Sequence, residues 1–321
     1  MSLFRHAFSL ASPAGKKGRL SIFIFHRVLP KPDSLFPDEP DARRFNELMT
    51  WISSWFNILP LDQAIDKLAQ QSLPERAAAI TFDDGYADNH AIALPILKKY
   101  ELPATFFIAT GFLNGGRMWN DTIIESIRSS PLPTLDLSSI HLGLHPIGSV
   151  PEKQKAIHSL IQQIKYQSIQ KRIELTSEIA TLAQGSPPTD LMMTTEEIIQ
   201  LRQAGMQIGA HTVSHPILAK TDPTEARREI QESKRFLEGA LGEPIRLFAY
   251  PNGKPDVDYL AEHVAMVRDL GFDAAVSTAN GSTSLKGADF YQLPRFTPWD
   301  KTKSRFGLRL LQNLLESPVR N

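Results

Sequence analysis

Two adjacent carboxylates, Asp83 and Asp84, follow a strongly apolar run in the segment ITFDDGYADNH. Gly85 comes directly after them and permits a tight turn of the backbone. Side chains of neighbouring residues point in opposite directions along an extended strand, but both can face one pocket where the strand turns. One carboxylate could then bind a metal ion while the other accepts a proton. Taken alone, the segment could equally be a solvated Asp-Asp-Gly turn without catalytic function.

Two imidazoles lie four residues apart in a second segment, GAHTVSHP. His211 and His215 follow an apolar run, and their spacing lets both contact one ion if the segment is helical or tightly looped. Zinc binds imidazole nitrogen and carboxylate oxygen at about 2.0–2.2 Å, and two histidines with one aspartate leave open positions for water. Either histidine by itself could be a surface or capping residue. Together with the aspartate pair, the histidines predict a catalytic metal site.

The composition limits the ligands and partners that need to be considered. The chain has 321 residues, no cysteine, and 35 basic against 35 acidic residues. Thiolate ligands, thiol nucleophiles and disulfide bonds are therefore excluded, and any metal must be bound by His, Asp, Glu or water. A net charge of zero argues against a nucleic acid partner, which requires a basic surface that neutralises phosphates. The 42% hydrophobic fraction is typical of a globular protein.

Neither a signal peptide nor a transmembrane span is predicted. The first twenty residues contain short apolar pieces interrupted by Arg5, His6 and Ser9, and a lysine pair follows the apolar stretch instead of preceding it. The best apolar run, residues 20–25, is far shorter than the roughly 18–20 residues of a membrane helix. We therefore expect a soluble and cytoplasmic protein.

Seven short apolar runs recur along the chain, and each ends in polar residues. They are LSIFIF (20–25), AAAITF (77–82), ATFFIAT (104–110), MQIGA (206–210), IRLFAY (245–250), FDAAVST (272–278) and YQLPRF (291–296). Helical apolar spacing is present at 42–54, 61–70, 91–100, 195–204, 223–241 and 255–270. Continuous apolar strands joined by helices indicate an α/β fold whose parallel sheet is covered on both faces, either a barrel or a doubly wound sheet. Because such folds build their sites at the carboxyl ends of the strands, we expect the polar segments to meet there.

The alternation of strands and helices stops between residues 112 and 193. Within this stretch, residues 151–183 are typical of one or two amphipathic helices. One apolar stripe is formed by Ile157, Leu160, Ile161 and Ile164. We interpret 112–193 as a helical insertion within a single domain that spans residues 1–321, either as a lid over the site or as an arm for self-association.

Both polar segments and their neighbours resemble the polysaccharide deacetylases, a carbohydrate esterase family with NodB homology. The resemblance rests on TFDDG (81–85), ALPILKKYELPATFFIATGFL (93–113), HTVSHP (211–216) and FAYPNGKPD (248–256). It extends from about residue 21 to about residue 299, with a NodB-like core at about 75–300. The family implies a deformed (β/α) barrel of about seven parallel strands and metal-dependent removal of N-acetyl groups from amino sugars.

The resemblance also implies a role for each residue of the two motifs. Asp83 is expected to act as the general base, Asp84, His211 and His215 as the metal ligands, and Thr212 as a support for the histidine loop. The cofactor is expected to be a divalent metal, most simply zinc, although cobalt, nickel or iron also suit these ligands. In amide hydrolysis such an ion activates water and polarises the carbonyl, while the base accepts the proton of the water.

Further substrate contacts are expected from outside the two motifs. The resemblance suggests that a backbone N–H in the loop of Tyr250 stabilises the oxyanion. Trp119 could stack on a pyranose ring while Asp121 bonds its hydroxyls, and Trp299 is a second candidate for stacking. Each of these aromatic residues could instead be a packing residue.

The chain departs from the family pattern at two catalytic positions. The usual arginine before a Pro-Pro-Tyr-Gly turn is absent at Ala249, so Arg295 becomes the candidate that orients Asp83 through a charge-assisted hydrogen bond. A structural salt bridge is the alternative role for this arginine. The usual Leu-x-His is also absent, since no histidine follows His263, which we expect at the surface. The general acid is then either Asp83, which would return its proton, or His26. We place His26 among the substrate contacts. It could also be a buried hydrogen-bonded residue.

These residues predict a metal-dependent hydrolase that removes N-acetyl groups from N-acetylhexosamine units of a polysaccharide, oligosaccharide or glycan precursor. The expected partner is an N-acetylated glycan, and no nucleic acid partner is expected. One alternative is an amidohydrolase acting on a carbon–nitrogen bond outside sugars. Another is a carbohydrate-binding protein that lost catalysis with the missing arginine and histidine.

Overall fold

A curved parallel sheet forms the centre of the structure, a computed structural model that describes residues 3–316. The strands of the described chain are β1 (Leu20–Phe25), β2 (Asn57–Ile58), β3 (Ala77–Phe82), β4 (Thr105–Ile108), β5 (Thr134–Leu137), β6 (Gly143–Pro146), β7 (Gln207–Ala210), β8 (Leu247–Ala249) and β9 (Ala274–Val276). Six of them lie in the order β1-β3-β4-β7-β8-β9, and β2 pairs with the beginning of β3. Every pairing in this sheet is parallel, as in the predicted α/β barrel.

Helices connect most of the strands. They are α1 (Leu3–Ala11), α2 (Ala42–Trp55), α3 (Leu61–Ala69), α4 (Leu94–Lys99), α5 (Trp119–Ser129), α6 (Val150–Ile164), α7 (Ile169–Leu182), α8 (Thr195–Gln203), α9 (Pro223–Leu241), α10 (Ala261–Asp269) and α11 (Lys303–Leu315). Among residues 3–316, no helix has both the length and the apolar character needed to cross a bilayer.

The continuous apolar runs are explained by burial on both faces of the sheet. All six residues of β1 and all six of β3 are buried. Alternate side chains go to two hydrophobic clusters. One, with Phe23 and Phe82, packs against the outer helices, and the other, with Ile22 and Ala79, lies between the strands and α3. A strand that is buried on both sides cannot show the alternation of a half-exposed strand.

The seventh predicted strand, YQLPRF at 291–296, is not a regular strand, and this prediction was wrong in form. Phe296 pairs with Phe23 of β1 and Leu293 pairs with Val276 of β9, each through an isolated parallel bridge. Pro294 lies between the two paired positions and has no N–H to donate to a ladder. The segment nevertheless fills the gap between the last strand and the first, so it closes the curved sheet.

Residues 112–193 contain more than the helices that the sequence indicated. Besides α6 and α7, they form α5 and an antiparallel hairpin of β5 and β6. The three helices and the hairpin share a hydrophobic cluster that includes Ile127, Leu137, Leu160 and Ile179. The hairpin was missed because each strand has four residues and β6 is mostly exposed, which leaves little apolar pattern to detect.

The helix predicted at 255–270 begins later, at Ala261. A turn precedes it, in which the Lys254 N–H donates to the Asp258 carboxylate at 3.0 Å. At the start of α10, His263 Nδ1 accepts the Leu260 N–H at 2.9 Å, and the histidine is 1% exposed. The expectation that His263 lies at the surface is therefore wrong, because its ring caps the helix that contains it.

Candidate active site

Three polar side chains converge at the carboxyl ends of β3 and β7, which lie on either side of β4. Asp84 Oδ1 is 3.4 Å from His211 Nε2 and 3.5 Å from His215 Nε2. The possible ligand atoms of these three residues all lie within 4.8 Å of one another. Asp84 Oδ1 is buried without a hydrogen-bond partner, which is the state expected of an oxygen reserved for a cation. The donor set of two nitrogens and one oxygen fits a divalent ion with open positions.

The backbone is left-handed at three residues of the two motifs. Asp84, Thr212 and His215 have φ angles of 77°, 65° and 51°. Such conformations cost about 1–3 kcal/mol for residues with a side chain and are concentrated at functional sites. At Asp84 the turn sends its carboxylate toward the histidines, whereas the preceding Asp83 carboxylate is directed toward Arg295.

The tautomer of His211 follows from the hydrogen bond that its Nδ1 makes. Its Nδ1 lies 2.7 Å from the carbonyl oxygen of Ala249 at the end of β8. A carbonyl can only accept, so Nδ1 carries the proton and the Nε2 lone pair is directed toward Asp84. Burial, followed by the nearby charges of His211 and Arg172, lowers the pKa of His215 to about 3 despite the opposite effect of Asp84. His215 can therefore offer a lone pair at neutral pH. The pKa of His211 is instead raised above its ordinary value, because burial acts in the opposite direction but is outweighed by Asp84 and Asp83.

A buried glutamate that the sequence analysis missed holds the histidine loop. Glu229 of α9 accepts hydrogen bonds from the Val213 N–H at 2.9 Å, the Ser214 N–H at 2.7 Å and the Ser214 hydroxyl at 2.7 Å. It is 3% exposed and shares the buried face of α9 with Ala226 and Ile230. A carboxylate on the apolar stripe of a helix was the signal that could have revealed it. Thr212, expected to support this loop, accepts the His215 N–H at 3.2 Å.

Arg295 donates two parallel hydrogen bonds of 2.7 Å to the carboxylate of Asp83. The arginine is itself oriented by bonds from Nε to the Ser277 carbonyl at 2.9 Å and from an amino group to the Thr81 hydroxyl at 3.3 Å. Burial alone would raise the pKa of Asp83, but Arg295 and then His211 outweigh it, so the pKa lies below its ordinary value. The carboxylate is thus ionised and fixed in orientation.

His26 lies at the end of β1 on the open side of the site and is exposed, so it is not a buried residue. It is near enough to Asp83 and Asp84 for its charge to act on both carboxylates. It lines a cleft of about 1310 Å³ together with Asn252 and Thr278. Trp299, at the same cleft, is 68% exposed.

Trp119 and Asp121, expected as neighbours in the sugar site, occupy the first turn of α5. Asp121 is 3% exposed and lies close to Tyr86. Burial raises the pKa of Asp121 to about 7, although Arg27 acts in the opposite direction. Trp119 packs against the cluster of α5, α6 and α7, so its ring is a packing surface as well as a candidate platform.

Tyr250 lies beneath the site and does not line its surface. Its side chain is fully buried, and its ring stacks on Tyr259 at 3.8 Å between centroids and meets Phe248 edge-on. Its own N–H donates to the Val276 carbonyl at 3.3 Å, so that group is not free for an oxyanion. The structure places Tyr250 as a packing aromatic, and the expected oxyanion contact from another backbone N–H of its loop stays a prediction.

A sequence profile of the family described as polysaccharide deacetylase matches residues 70–275. The chain belongs to the polysaccharide deacetylase family. The protein is accordingly a hydrolase acting on N-acetyl amide bonds, and the resemblance to proteins with NodB homology is confirmed.

Individual relatives are distant. YxkH of Bacillus subtilis (strain 168), whose name assigns it to the polysaccharide deacetylases, is 22% identical over 271 residues, or 84% of this chain and 68% of that protein. Poly-beta-1,6-N-acetyl-D-glucosamine N-deacetylase of Staphylococcus aureus (strain MSSA476) is 26% identical over 114 residues, 35% of this chain and 39% of the relative. The solved structure of Streptococcus pyogenes deacetylase PplD in complex with acetate has a TM-score of 0.60 at 18% identity, covering 92% of this chain and 98% of that one. This likeness shows a shared fold.

Proposed function

We propose that this polysaccharide deacetylase is metal-dependent and removes N-acetyl groups from N-acetylhexosamine units of a glycan. The observation that carries the proposal is the cluster of Asp84, His211 and His215 next to a carboxylate that Arg295 keeps ionised. Asp84 and the two histidines would hold a divalent ion, most simply zinc. When bound, that ion would polarise the acetyl carbonyl and make the attacking water more acidic.

Asp83 is the general base in this proposal. Its two oxygens are bound by Arg295, which fixes the plane of the carboxylate and keeps it ionised, and each oxygen retains a second lone pair. A carboxylate in this state accepts the proton of the attacking water without having to reorient. Arg295 is a positioning residue, since the only reacting group that it contacts is Asp83.

His26 is a better candidate for the general acid than Asp83. The leaving amine needs a proton, and a carboxyl group whose pKa is lowered by Arg295 is a poor donor. His26 is exposed, lines the cleft and is near enough to both aspartates for its charge to act on them, so we assign it the role of proton donor to the leaving amine. This assignment takes the place of the histidine that the family pattern has near its C-terminal end.

A cleft that is lined by His26, and not by the metal-binding cluster itself, has room for a glycan. Its volume of about 1310 Å³ exceeds the usual upper range of about 1,000 Å³ for a small-molecule pocket. The S. aureus relative is named for a poly-N-acetylglucosamine substrate, which supports N-acetylglucosamine as the sugar. Subcellular fractionation would distinguish a cytoplasmic enzyme acting on a precursor from one acting on a finished polymer.

Acetate release from metal-loaded protein tests this function. The substrates are chitotetraose, a β-1,6-linked N-acetylglucosamine tetrasaccharide and a small N-acetylated amide, with Asp83→Asn as the inactive control. We expect acetate from at least one tetrasaccharide and a loss of 42 mass units per event by mass spectrometry. Release from the small amide alone would identify a different amidohydrolase. Glycan binding without acetate from any substrate would identify a non-catalytic binding protein.

A further inference from the structure

Arg172 of α7 has a buried guanidinium without an acidic partner. The residue is 3% exposed, and no ion pair or side-chain hydrogen bond of the described residues 3–316 includes its guanidinium. Its Nε is buried and unsatisfied. The guanidinium does make an aromatic contact, since its carbon lies 5.3 Å from the centre of the Trp119 ring.

Other buried arginines of this chain are compensated. Arg295 binds both oxygens of Asp83, and Arg76 donates to the Trp55 carbonyl and pairs with Glu75. An uncompensated charge that is withdrawn from water costs several kcal/mol, so a buried arginine normally has a carboxylate. Arg172 departs from this rule, which indicates that its counter-ion arrives from outside the chain.

The position of Arg172 connects it to the candidate active site. Its charge is among those that act on His215, so the guanidinium lies near the histidine loop. The acidic group that acts on it most is Glu229, and that carboxylate is already occupied by Val213 and Ser214. Glu229 thus acts on Arg172 through its charge but makes no direct ion pair or hydrogen bond with it in the described part of the chain, which leaves N–H groups of the guanidinium free for a ligand.

We propose that Arg172 and Trp119 form an anion-binding subsite, and that the substrate carries a carboxylate or phosphate next to the N-acetylhexosamine that is deacetylated. This inference rests on the proposed function and names the substrate class more narrowly. A guanidinium presents two parallel N–H groups that match the oxygens of a carboxylate or phosphate. The Trp119 ring restricts the guanidinium through a cation–π contact, and a bound anion neutralises the buried charge.

Matched pairs of substrates test the subsite. A hyaluronan tetrasaccharide, which alternates glucuronate with N-acetylglucosamine, is compared with chitotetraose, and N-acetylglucosamine 1-phosphate is compared with its methyl glycoside. The measured quantity is the ratio of kcat/KM for the anionic substrate to that for the neutral one. Arg172→Gln should lower this ratio at least about tenfold for the carboxylate pair, the phosphate pair or both, which distinguishes the two sources of charge. Lys171→Gln, which removes an exposed charge from the neighbouring position of α7, should leave the ratio unchanged.

Thermal unfolding separates this role from a structural one. Arg172→Met removes an unpaired buried charge and keeps an unbranched apolar side chain, so its Tm should equal or exceed that of the wild type. A structural arginine predicts a lower Tm. A ratio that stays constant in Arg172→Gln, or a lower Tm of Arg172→Met without loss of anion preference, would overturn the subsite.

Binding measurements keep the two proposals apart. If no glycan releases acetate, the proposed function fails, but titration of the metal-loaded Asp83→Asn protein with the hyaluronan and chitin tetrasaccharides still tests Arg172. Tighter binding of hyaluronan that disappears in the Asp83→Asn, Arg172→Gln double variant supports the subsite. Equal binding of the two tetrasaccharides contradicts it.

Discussion

Arg295 and Asp83 are separated by 212 residues, yet two hydrogen bonds of 2.7 Å join them in the interior of the protein. Their side chains are 0% and 3% exposed. The arginine that the family pattern has elsewhere is thus replaced by one that reaches the same carboxylate from the segment closing the sheet. Several expected outcomes depend on this pair and on the cluster next to it.

Replacing Asp83 with Asn should abolish the base while keeping the ligands of the metal. We expect turnover to fall at least about a hundredfold, because an amide cannot accept the proton of the water. Metal content by elemental analysis should not change. Circular dichroism checks that the variant remains folded although Arg295 has lost its charged partner. Retained turnover in a folded variant would show that another residue is the base.

Replacing Arg295 with Met should move the acidic limb of the pH profile of kcat/KM to higher pH. Arg295 lowers the pKa of Asp83, so its removal lets burial raise that pKa. In Arg295→Lys, which keeps the charge without the bidentate geometry, the acidic limb should lie between those of the wild type and Arg295→Met. An unchanged acidic limb in Arg295→Met would show that the salt bridge of Arg295 is only structural.

The same Arg295→Met variant should lose stability. The lowered pKa of Asp83 stabilises the fold above the pKa of the unfolded chain, and this contribution disappears as pH falls through the folded pKa. Breaking a buried pair typically costs about 3–5 kcal/mol, so at pH 7 the free energy of unfolding should fall by roughly that amount. The loss should shrink on acidification, as measured by denaturant unfolding. Arg305→Met, at an exposed site, is the control, and an equal loss in both variants would contradict the argument.

Replacing either His211 or His215 with Ala should reduce the metal bound per chain. Each substitution removes one of three ligands, and the loss is measured by elemental analysis after dialysis against a weak chelator. His158, exposed on α6, supplies the matched control His158→Ala. Metal content that is undiminished in His211→Ala and His215→Ala would exclude this ligand set.

Replacing Glu229 with Gln should weaken metal binding without removing a ligand. One amide nitrogen would then face N–H donors of the histidine loop, and second-layer partners of this kind typically change metal affinity about 10–100-fold. Competition with a metal-binding dye measures the affinity. Glu232→Gln, three positions along α9 and exposed, is the control, and equal affinities of the two variants would show that Glu229 does not support the site.

Replacing His26 with Ala should affect amide substrates far more than activated esters. An amine must be protonated as it leaves, whereas 4-nitrophenolate leaves without a proton, so the loss should be about a hundredfold or more on the glycan and small on 4-nitrophenyl acetate. Equal losses of activity on both substrates would show that His26 contacts the substrate but is not the general acid.

The sequence predicted the elements whose pattern depends on neighbouring residues in the chain. Six of the seven apolar runs are strands, because burial on both faces requires continuous hydrophobicity. The convergence of Asp84 with the histidines also followed, since parallel strands bring their carboxyl ends to one edge. The pairing of Arg295 with Asp83 could be proposed because a buried carboxylate needs a cation and the usual one was missing.

Features that depend on distant packing could not be predicted. Tyr250 follows a strand as a catalytic residue would, and only the positions of Tyr259 and Phe248 show that it is enclosed. Glu229 lies on the apolar stripe of its helix, but the histidine loop that it binds is known only once the helix is packed. Arg172 lies in an amphipathic helix, where one charged residue in the pattern is indistinguishable from a solvated one until the helix is packed. The hairpin of β5 and β6 is too short to produce a periodic signal.

The segment at 291–296 joins the last strand to the first and also supplies Arg295. During synthesis on a ribosome, all three proposed metal ligands emerge some eighty residues before this arginine, because the last of them is His215. A nascent chain, or one clipped by a protease ahead of the segment, would lack both the barrel seam and the partner of Asp83. Under the proposed mechanism, the base is therefore left without its partner until residue 295 has been made and the sheet has closed.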